Sequence, residues 1–316
     1  MKKRNAIRTE HMTIKEGFRE LKKNKVLYAM TIPSLLWVIV FSYVPLYGIL
    51  IAFKKFSFKK GIWDSDWVGL KNFEFLFGYK NIGRVFFNTI FLNVLFIIAT
   101  TVFSLLLALL FVEVKNKIYN RLVQTIAIFP HFVSWTVVAM CLTAIIGSGG
   151  VMTTMLQNVT GNQNDFYKSP GYWPLIFTIL KIWQGAGYGS IVYVAAIIGF
   201  DQEMYEAAKV DGANRIKQIF LITLPLLKTT IVMLTIMSIG NIFRGDFGMI
   251  YAIVRDNSFL YPTTDVIDTF TYRALRELNN LGMSTATSFF QSFVGLVLIW
   301  FSNAVTKKVD PESAIF

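Results

Sequence analysis

The run Phe87–Val114, FNTIFLNVLFIIATTVFSLLLALLFVEV, decides what kind of fold this chain can have. It exceeds the roughly 20 apolar residues that a helix needs to cross about 30 Å of hydrocarbon. In lipid, a lone segment must satisfy its own backbone hydrogen bonds, which a helix does. Five further runs, Val26–Phe53, Leu122–Gly147, Tyr172–Phe200, Leu226–Val254 and Ser284–Val305, meet or approach the same requirement. In the fifth, Asn241, Arg244 and Asp246 interrupt the second half and invite an early end to the helix. The expected fold is all-α, a polytopic membrane protein with about six transmembrane helices over residues 26–305.

Composition points the same way. Of 316 residues, 54% are hydrophobic, 16% aromatic and 16% charged, more apolar surface than one soluble core can hide. The formal charge of +12 does not form a nucleic-acid face, because nine of the 31 basic residues precede the first apolar run. That leader, residues 1–25, offers a capping box at Thr13 and Glu16, and Ile14, Phe18 and Leu21 recur at helical spacing between lysines and arginines. The pattern predicts a short interfacial helix on anionic lipid. No secretory cleavage site follows the first run, so that run stays as a span. Cys141 is the single cysteine and has no partner for an internal disulfide.

Lys and Arg number 18 on the side of the leader and 11 on the opposite side, which places both termini, including the tail 306–316, in the cytoplasm. Lys54, Lys55, Lys59 and Lys60 break the rule locally. With six spans, the polar loop of residues 201–225 also faces the cytoplasm. It reads EAAKVDGANRIKQIFLITLP from Glu206 to Pro225, with helix formers on both sides of Gly212. A helix broken by glycine lets two short helices meet at an angle.

The spacing EAA-x3-G-x9-I-x-LP resembles the coupling loop of ABC importer permeases. Glu206, Ala207, Ala208, Gly212, Ile222, Leu224 and Pro225 stand where that pattern requires them, with Asp211 at the turn. The resemblance implies a type I ABC importer permease fold in which this loop docks on a separate ATPase. The small alanines keep the helix slim, and Glu206 is free to pair with a basic partner residue. Pro33-Ser-Leu, Tyr43-Val-Pro45, Trp67 to Phe73, Asn88-Thr89 and Phe129-Pro130 look like the maltose-type carbohydrate permeases. Asp246-Phe-Gly248, Tyr261 to Asp268 and Thr271-Tyr272 look like the branch serving complex oligosaccharides and polysaccharide fragments.

That family implies a heterodimer with a second permease, two ATP-binding subunits or one ATPase homodimer, and an extracellular or periplasmic sugar-binding protein. The segments Phe56–Phe77 and Arg255–Met283 are the candidate docking loops. The expected seat is the bacterial cell membrane. ATP and Mg2+ would sit on the partners, because this chain has no Gly-Lys dipeptide and hence no P-loop, and no cofactor is expected in it. Nor do His11 and His131 stand among metal-ligand spacings; no enzyme constellation is present, and His131 beside Pro130 reads as a packed residue.

Charges within spans are functional candidates by default. Lys181 in the fourth run and Arg244 and Asp246 in the fifth stand among Trp183, Gln184, Tyr188, Asn241, Phe243 and Phe247. Rings that stack on sugar faces and amides that bond hydroxyls suit a glycan path. The competing structural reading pairs Arg244 with Asp246, turns Lys181 outward and gives the glycines at 185, 187 and 189 to helix packing rather than to unwinding. Two rival functions remain: an ABC permease for a non-carbohydrate cargo, and a stand-alone secondary transporter, which usually carries more acidic or histidine groups at the midplane.

Overall fold

The computed structural model describes residues 23–161 and 165–315, so the expected interfacial helix over Ile14–Leu21 lies outside the described residues. Among the described residues, six helical stretches are long and apolar enough to cross a membrane: Lys25–Phe53, Ile82–Glu113, Trp135–Thr160, Pro170–Ile198, Arg215–Ile239 and Leu281–Lys308. Many of their large apolar side chains point outward. Trp37, Leu110, Leu175, Phe220 and Trp300 are all more than 60% exposed, as surfaces meeting lipid or another apolar chain must be.

In chain order, helix α1 (Lys25–Val38) continues through a π turn and a 3-10 stretch to Phe53 and enters an antiparallel hairpin, β1 (Lys54–Ser57) with β2 (Gly61–Trp67). Then come α2 (Lys71–Gly78), the long α3 (Ile82–Glu113), α4 (Lys117–Ile128), α5 (Trp135–Ile146), α6 (Val151–Thr160) and the fourth span α7 (Trp173–Ile198). The polar loop carries α8 (Gln202–Val210) and α9 (Arg215–Gln218), followed by α10 (Leu224–Ile239). The remainder is α11 (Phe247–Val254), α12 (Tyr261–Thr264), α13 (Ile267–Leu278) and α14 (Leu281–Val309). Side-chain caps fix many of the starts. Asn116, Ser134, Asp201, Asn214, Asp246 and Asn280 each accept a backbone N–H from the first turn that follows.

Two spans differ from the hydropathy reading. The third begins at Trp135 rather than Leu122, because Pro130 sits in a 3-10 turn, Phe129–Phe132, and Ser134 then caps a new helix. The fifth ends at Ile239, so Asn241, Arg244 and Asp246 lie in a turn segment outside the helix rather than within a span. The glycines of the fourth run do not unwind it: α7 is continuous. A Cβ at Gly187 would collide with the Ala127 carbonyl, so glycine here permits α7 to approach α4 closely.

The main core joins α3, α5, α7 and α11 through Leu92, Phe96, Ala139, Ile146, Phe177, Met249 and Ile250. Trp173 is fully buried and donates its indole N–H to the Phe166 carbonyl at 2.9 Å. The segment 240–281 forms a cap over one end of this core and is cross-bonded to it. Asn88 on α3 donates to the carbonyls of Pro262 and Asp265 at 3.2 and 3.1 Å, and the Thr89 hydroxyl accepts the Ile267 N–H at 2.9 Å. Inside the cap, Asp265 pairs with Arg273 at 2.7 Å, and that guanidinium stacks over Tyr261.

The hairpin explains part of the lysine anomaly. Lys54 donates to the carbonyls of Ile62 and Trp63 at 2.8 and 2.7 Å, and Lys60 pairs with Asp66 at 3.0 Å. These two cations hold the hairpin together. At the other end of the molecule the chain after α14 folds back on α10. Lys228 pairs with Asp310 at 2.8 Å, fully buried Ser313 bonds Thr229, and the Ile315 N–H reaches Asn303 at 2.7 Å.

Candidate functional site

Two places gather the residues singled out in the sequence. The first is a cavity of about 580 Å³ between α3, α7 and α10. Lys181, Gln184, Tyr188 and Asn241 all line it, so four expected path residues from two separate runs meet around one cavity. The lining also takes in α3, whose Asn93, Thr100, Thr101 and Ser104 were not singled out in the sequence. Their signal was present: positions 93, 97, 100, 101 and 104 recur at three- and four-residue steps, one face of a helix. His131 also lines the cavity, with its ring stacked on Tyr188 at 4.1 Å between centroids and 7° between planes.

Lys181 does not turn outward. It forms an ion pair with Asp246, and its ammonium lies 5.9 Å from the Phe96 ring and 5.8 Å from the Trp135 ring. Asp246 does two jobs, since its other oxygen accepts the Met249 N–H at 3.1 Å and so caps α11. Arg244 pairs with no acid among the described residues; it donates to Ser292 at 3.1 Å, while its carbonyl accepts from Asn93 at 3.0 Å. The Arg244–Asp246 pairing weighed in the sequence is therefore absent.

The other expected path residues sit elsewhere. Phe243 packs against Phe86 and Phe290, and Phe247 against Tyr251 and Tyr272. Trp183 lies outside the cavity lining and is 46% exposed. The turn that carries Phe243 and Arg244 is itself fastened. The Gly245 N–H donates to Asp268 at 2.5 Å, and Gln291 donates both to the Phe243 carbonyl and to Asp268, at 2.8 and 2.9 Å. Burial pushes the Asp268 carboxyl above the usual carboxylate range, with the Gly245 N–H and Gln291 amide pulling the other way.

The second place is the polar loop. Asp201 caps α8 through the Glu203 N–H at 3.0 Å, and the helix stops at Asp211-Gly212, where Gly212 has φ +76°. Asn214 caps α9 through the Lys217 N–H at 2.9 Å. The return path is pinned by Gln218, which donates to the Ala213 carbonyl at 3.1 Å, and by Tyr205 bonded to Thr223 at 3.1 Å. A π turn over Ile219–Thr223 then runs into α10, with Leu224 and Pro225 in its first turn. Glu206, Ala207, Asp211, Gly212 and Pro225 are exposed, and Ala208, Ile222 and Leu224 half-buried. Val210 is 88% exposed and Ile216 66%, two apolar side chains left largely bare. Arg215 reaches Glu113 at the foot of α3, at 3.7 Å.

A bundle of apolar helices with a polar, ring-lined cavity between them, and a structured polar loop joining two spans, is the build of a multi-pass membrane permease. The profile of the family described as "Binding-protein-dependent transport system inner membrane component" matches residues 100–311. The chain belongs to that family, the inner-membrane permeases of ABC importers. It is similar to Protein LplB of Bacillus subtilis (strain 168), with 37% identity over 293 residues and 92% of each chain covered. From the same organism, the polygalacturonan/rhamnogalacturonan transport system permease protein YteP is 35% identical over 297 residues, covering 93% of this chain and 91% of that one. A chain from the crystal structure of a bacterial ABC transporter involved in the import of the acidic polysaccharide alginate superposes with a TM-score of 0.81 at 33% identity, over 93% of this chain and 99% of that one. The alginate transporter also has a structure in complex with a periplasmic protein bound to an alginate pentasaccharide, matched with a TM-score of 0.80.

Proposed function

We propose that this chain is one transmembrane half of an ATP-driven importer for carbohydrates, namely complex oligosaccharides or polysaccharide fragments. The observation that carries the cargo is the cavity itself. Amides of Asn93, Gln184 and Asn241, hydroxyls of Thr100, Ser104 and Tyr188, and the stacked His131–Tyr188 pair face one space of about 580 Å³. Rings offer a face to the apolar side of a sugar, and the amides and hydroxyls bond its hydroxyl groups. The polysaccharide named for YteP and the alginate of the structural neighbour agree with that chemistry.

The drive comes from outside the chain. In this reading both termini and residues 201–225 are cytoplasmic, and α8, with Glu206, Ala207, Ala208 and its exposed Val210, docks in a cleft on a separate ATPase that holds ATP and Mg2+. Closure of the ATPases moves α8, and the π turn and Pro225 pass that movement to α10, which forms one wall of the cavity. A second, homologous permease supplies the opposite half of the path, and an extracellular or periplasmic binding protein delivers the glycan to the outer loops.

Purification from membranes tests the reading directly. We expect a soluble ATPase and a second permease to co-elute, and reconstituted complex to take up oligosaccharide only with ATP and the binding protein. Sugar flux through the isolated chain in ATP-free liposomes overturns it in favour of a stand-alone transporter. Uptake of amino acids, peptides or phosphate but no glycan overturns the cargo alone.

A further inference from the structure

A second cavity, of about 700 Å³, opens between α5 and α11 at the end of the molecule that the proposed topology puts outside. Its polar lining is Thr136, Thr143, Ser148, Asp165, Tyr167 and Arg255. The walls are held in place. Asn257 donates to the Tyr167 carbonyl at 2.7 Å, and the Tyr167 and Thr143 hydroxyls share a hydrogen bond at 3.3 Å. Asp165 is occupied on both oxygens, by the Tyr167 N–H at 3.0 Å and by Lys168 at 3.1 Å. Arg255, by contrast, has no ion pair or side-chain hydrogen bond among the described residues.

Arg255 also has a backbone that an arginine does not choose. It closes α11 with φ 48° and ψ −139°. The other non-glycine residue with positive φ among the described residues, Asn279, sits in the ordinary left-handed well at φ 47° and ψ 35°, which asparagine tolerates. Arg255 is outside that well, in a region where a side chain is strained and glycine is at ease. A strained, exposed position filled by a long cation on the lining of a roomy cavity with both polar and apolar walls is better explained by what the guanidinium holds than by what it does for the helix end.

We infer that this cavity is an outer glycan subsite in which Arg255 receives a carboxylate of an acidic sugar unit before the chain enters the path between α3, α7 and α10. The guanidinium fork fits a carboxylate through two parallel hydrogen bonds. Tyr167, Thr143 and Ser148 share the same lining and carry hydroxyls able to bond those of a sugar ring. A concave, hydroxyl-lined space suits a sugar chain better than a flat protein contact. The inference rests on the glycan cargo proposed above.

The test uses the reconstituted complex with its ATPases, second permease and binding protein, and compares a short oligouronate with the same oligomer whose carboxyls are reduced to alcohols. For Arg255→Gly we expect a thermal midpoint no lower than wild type, because strain is relieved. We also expect a rise of about tenfold in KM for uptake of the oligouronate, with the reduced oligomer unaffected. Arg255→Lys, which keeps charge and strain but loses the fork, falls between. Equal loss on both oligomers assigns Arg255 to docking the binding protein and overturns the subsite, as does unchanged uptake of both. If the wild-type complex moves the reduced oligomer but not the oligouronate, the subsite fails and the carbohydrate reading stands. If it moves neither, both fail.

Discussion

The cap over residues 240–281 and the polar loop over residues 201–225 are both connections between spans, yet they are built on opposite plans. The cap closes on itself. Asp265, Thr269 and Arg273 satisfy one another, Asn88 and Thr89 tie it to α3, and Gln291 and Asp268 fasten the turn before α11. The loop is held by fewer ties, Tyr205 to Thr223, Gln218 to the Ala213 carbonyl and Arg215 to Glu113, and leaves α8 with no buried residue and with Val210 bare. A segment that satisfies its own polar groups keeps its shape alone, whereas one that leaves apolar groups in water is shaped for something that will cover them. In the proposed reading, that difference separates a fixed wall from a lever.

Substitutions sharpen that contrast, and the largest effect is expected in the cap. Arg273→Ala leaves the Asp265 carboxylate buried without its partner, a loss of about 3–5 kcal/mol, enough to deplete folded protein. Membrane yield and thermal unfolding of the detergent-solubilised protein measure it, and a normal midpoint would break the picture of a self-supporting cap. In the loop the expectation is reversed. Gly212 has φ +76°, which proline cannot adopt, so Gly212→Pro re-aims α8 without touching a buried group. It should abolish uptake while the thermal midpoint stays near wild type, and Glu206→Lys should do the same by placing a cation where the docked partner offers one. Retained uptake with sugar-stimulated ATP hydrolysis in both variants would remove the lever from residues 206–225.

Between these extremes lies the Lys181–Asp246 pair, which joins the cavity wall to the start of α11. Lys181→Met strands a mostly buried carboxylate, at a cost of about 2 kcal/mol, and should lower uptake by about tenfold at normal expression. Adding Asp246→Asn removes the stranded charge and should restore stability but not uptake. Recovery of both would make the pair structural. The smallest effect is expected at Asp268. Its folded-state pKa is raised by burial, so the folded chain holds that proton more tightly than the unfolded chain does. Its contribution therefore grows as pH falls through the folded pKa, levels off below the unfolded one, and is lost as pH rises. Asp268→Asn keeps an acceptor for Gly245 and should flatten that part of the stability–pH profile.

Much of this architecture was legible in the residues. Apolar run length located six spans, and the motif from Glu206 to Pro225 marked the loop, because both are local patterns. Errors arose where a short-range signal competed with hydropathy. Pro130 and Ser134 outweighed the apolar run from Leu122 to Gly147, and the turn through Asn241, Arg244 and Asp246 ended the fifth span at Ile239. Half of the cavity was also hidden, since threonine, serine and asparagine on α3 barely lower the hydropathy of a long apolar helix and announce themselves only by their spacing. The pairing of Lys181 with Asp246 instead of Arg244 with Asp246 depends on how α7 meets α11, which no local pattern encodes. Lys54 and Lys60 show a related limit. A charge count treats every lysine as a vote on orientation, but these two are spent on the hairpin itself.

The lone sulfhydryl of the chain gives the experimenter an unusual convenience. Cys141 is exposed on α5, the helix that supplies one side of the 700 Å³ cavity. A thiol-reactive fluorophore or spin label would therefore attach at one known place in the unaltered sequence, and its signal would follow movement of α5 in real time, with no competing thiol in this chain to remove first.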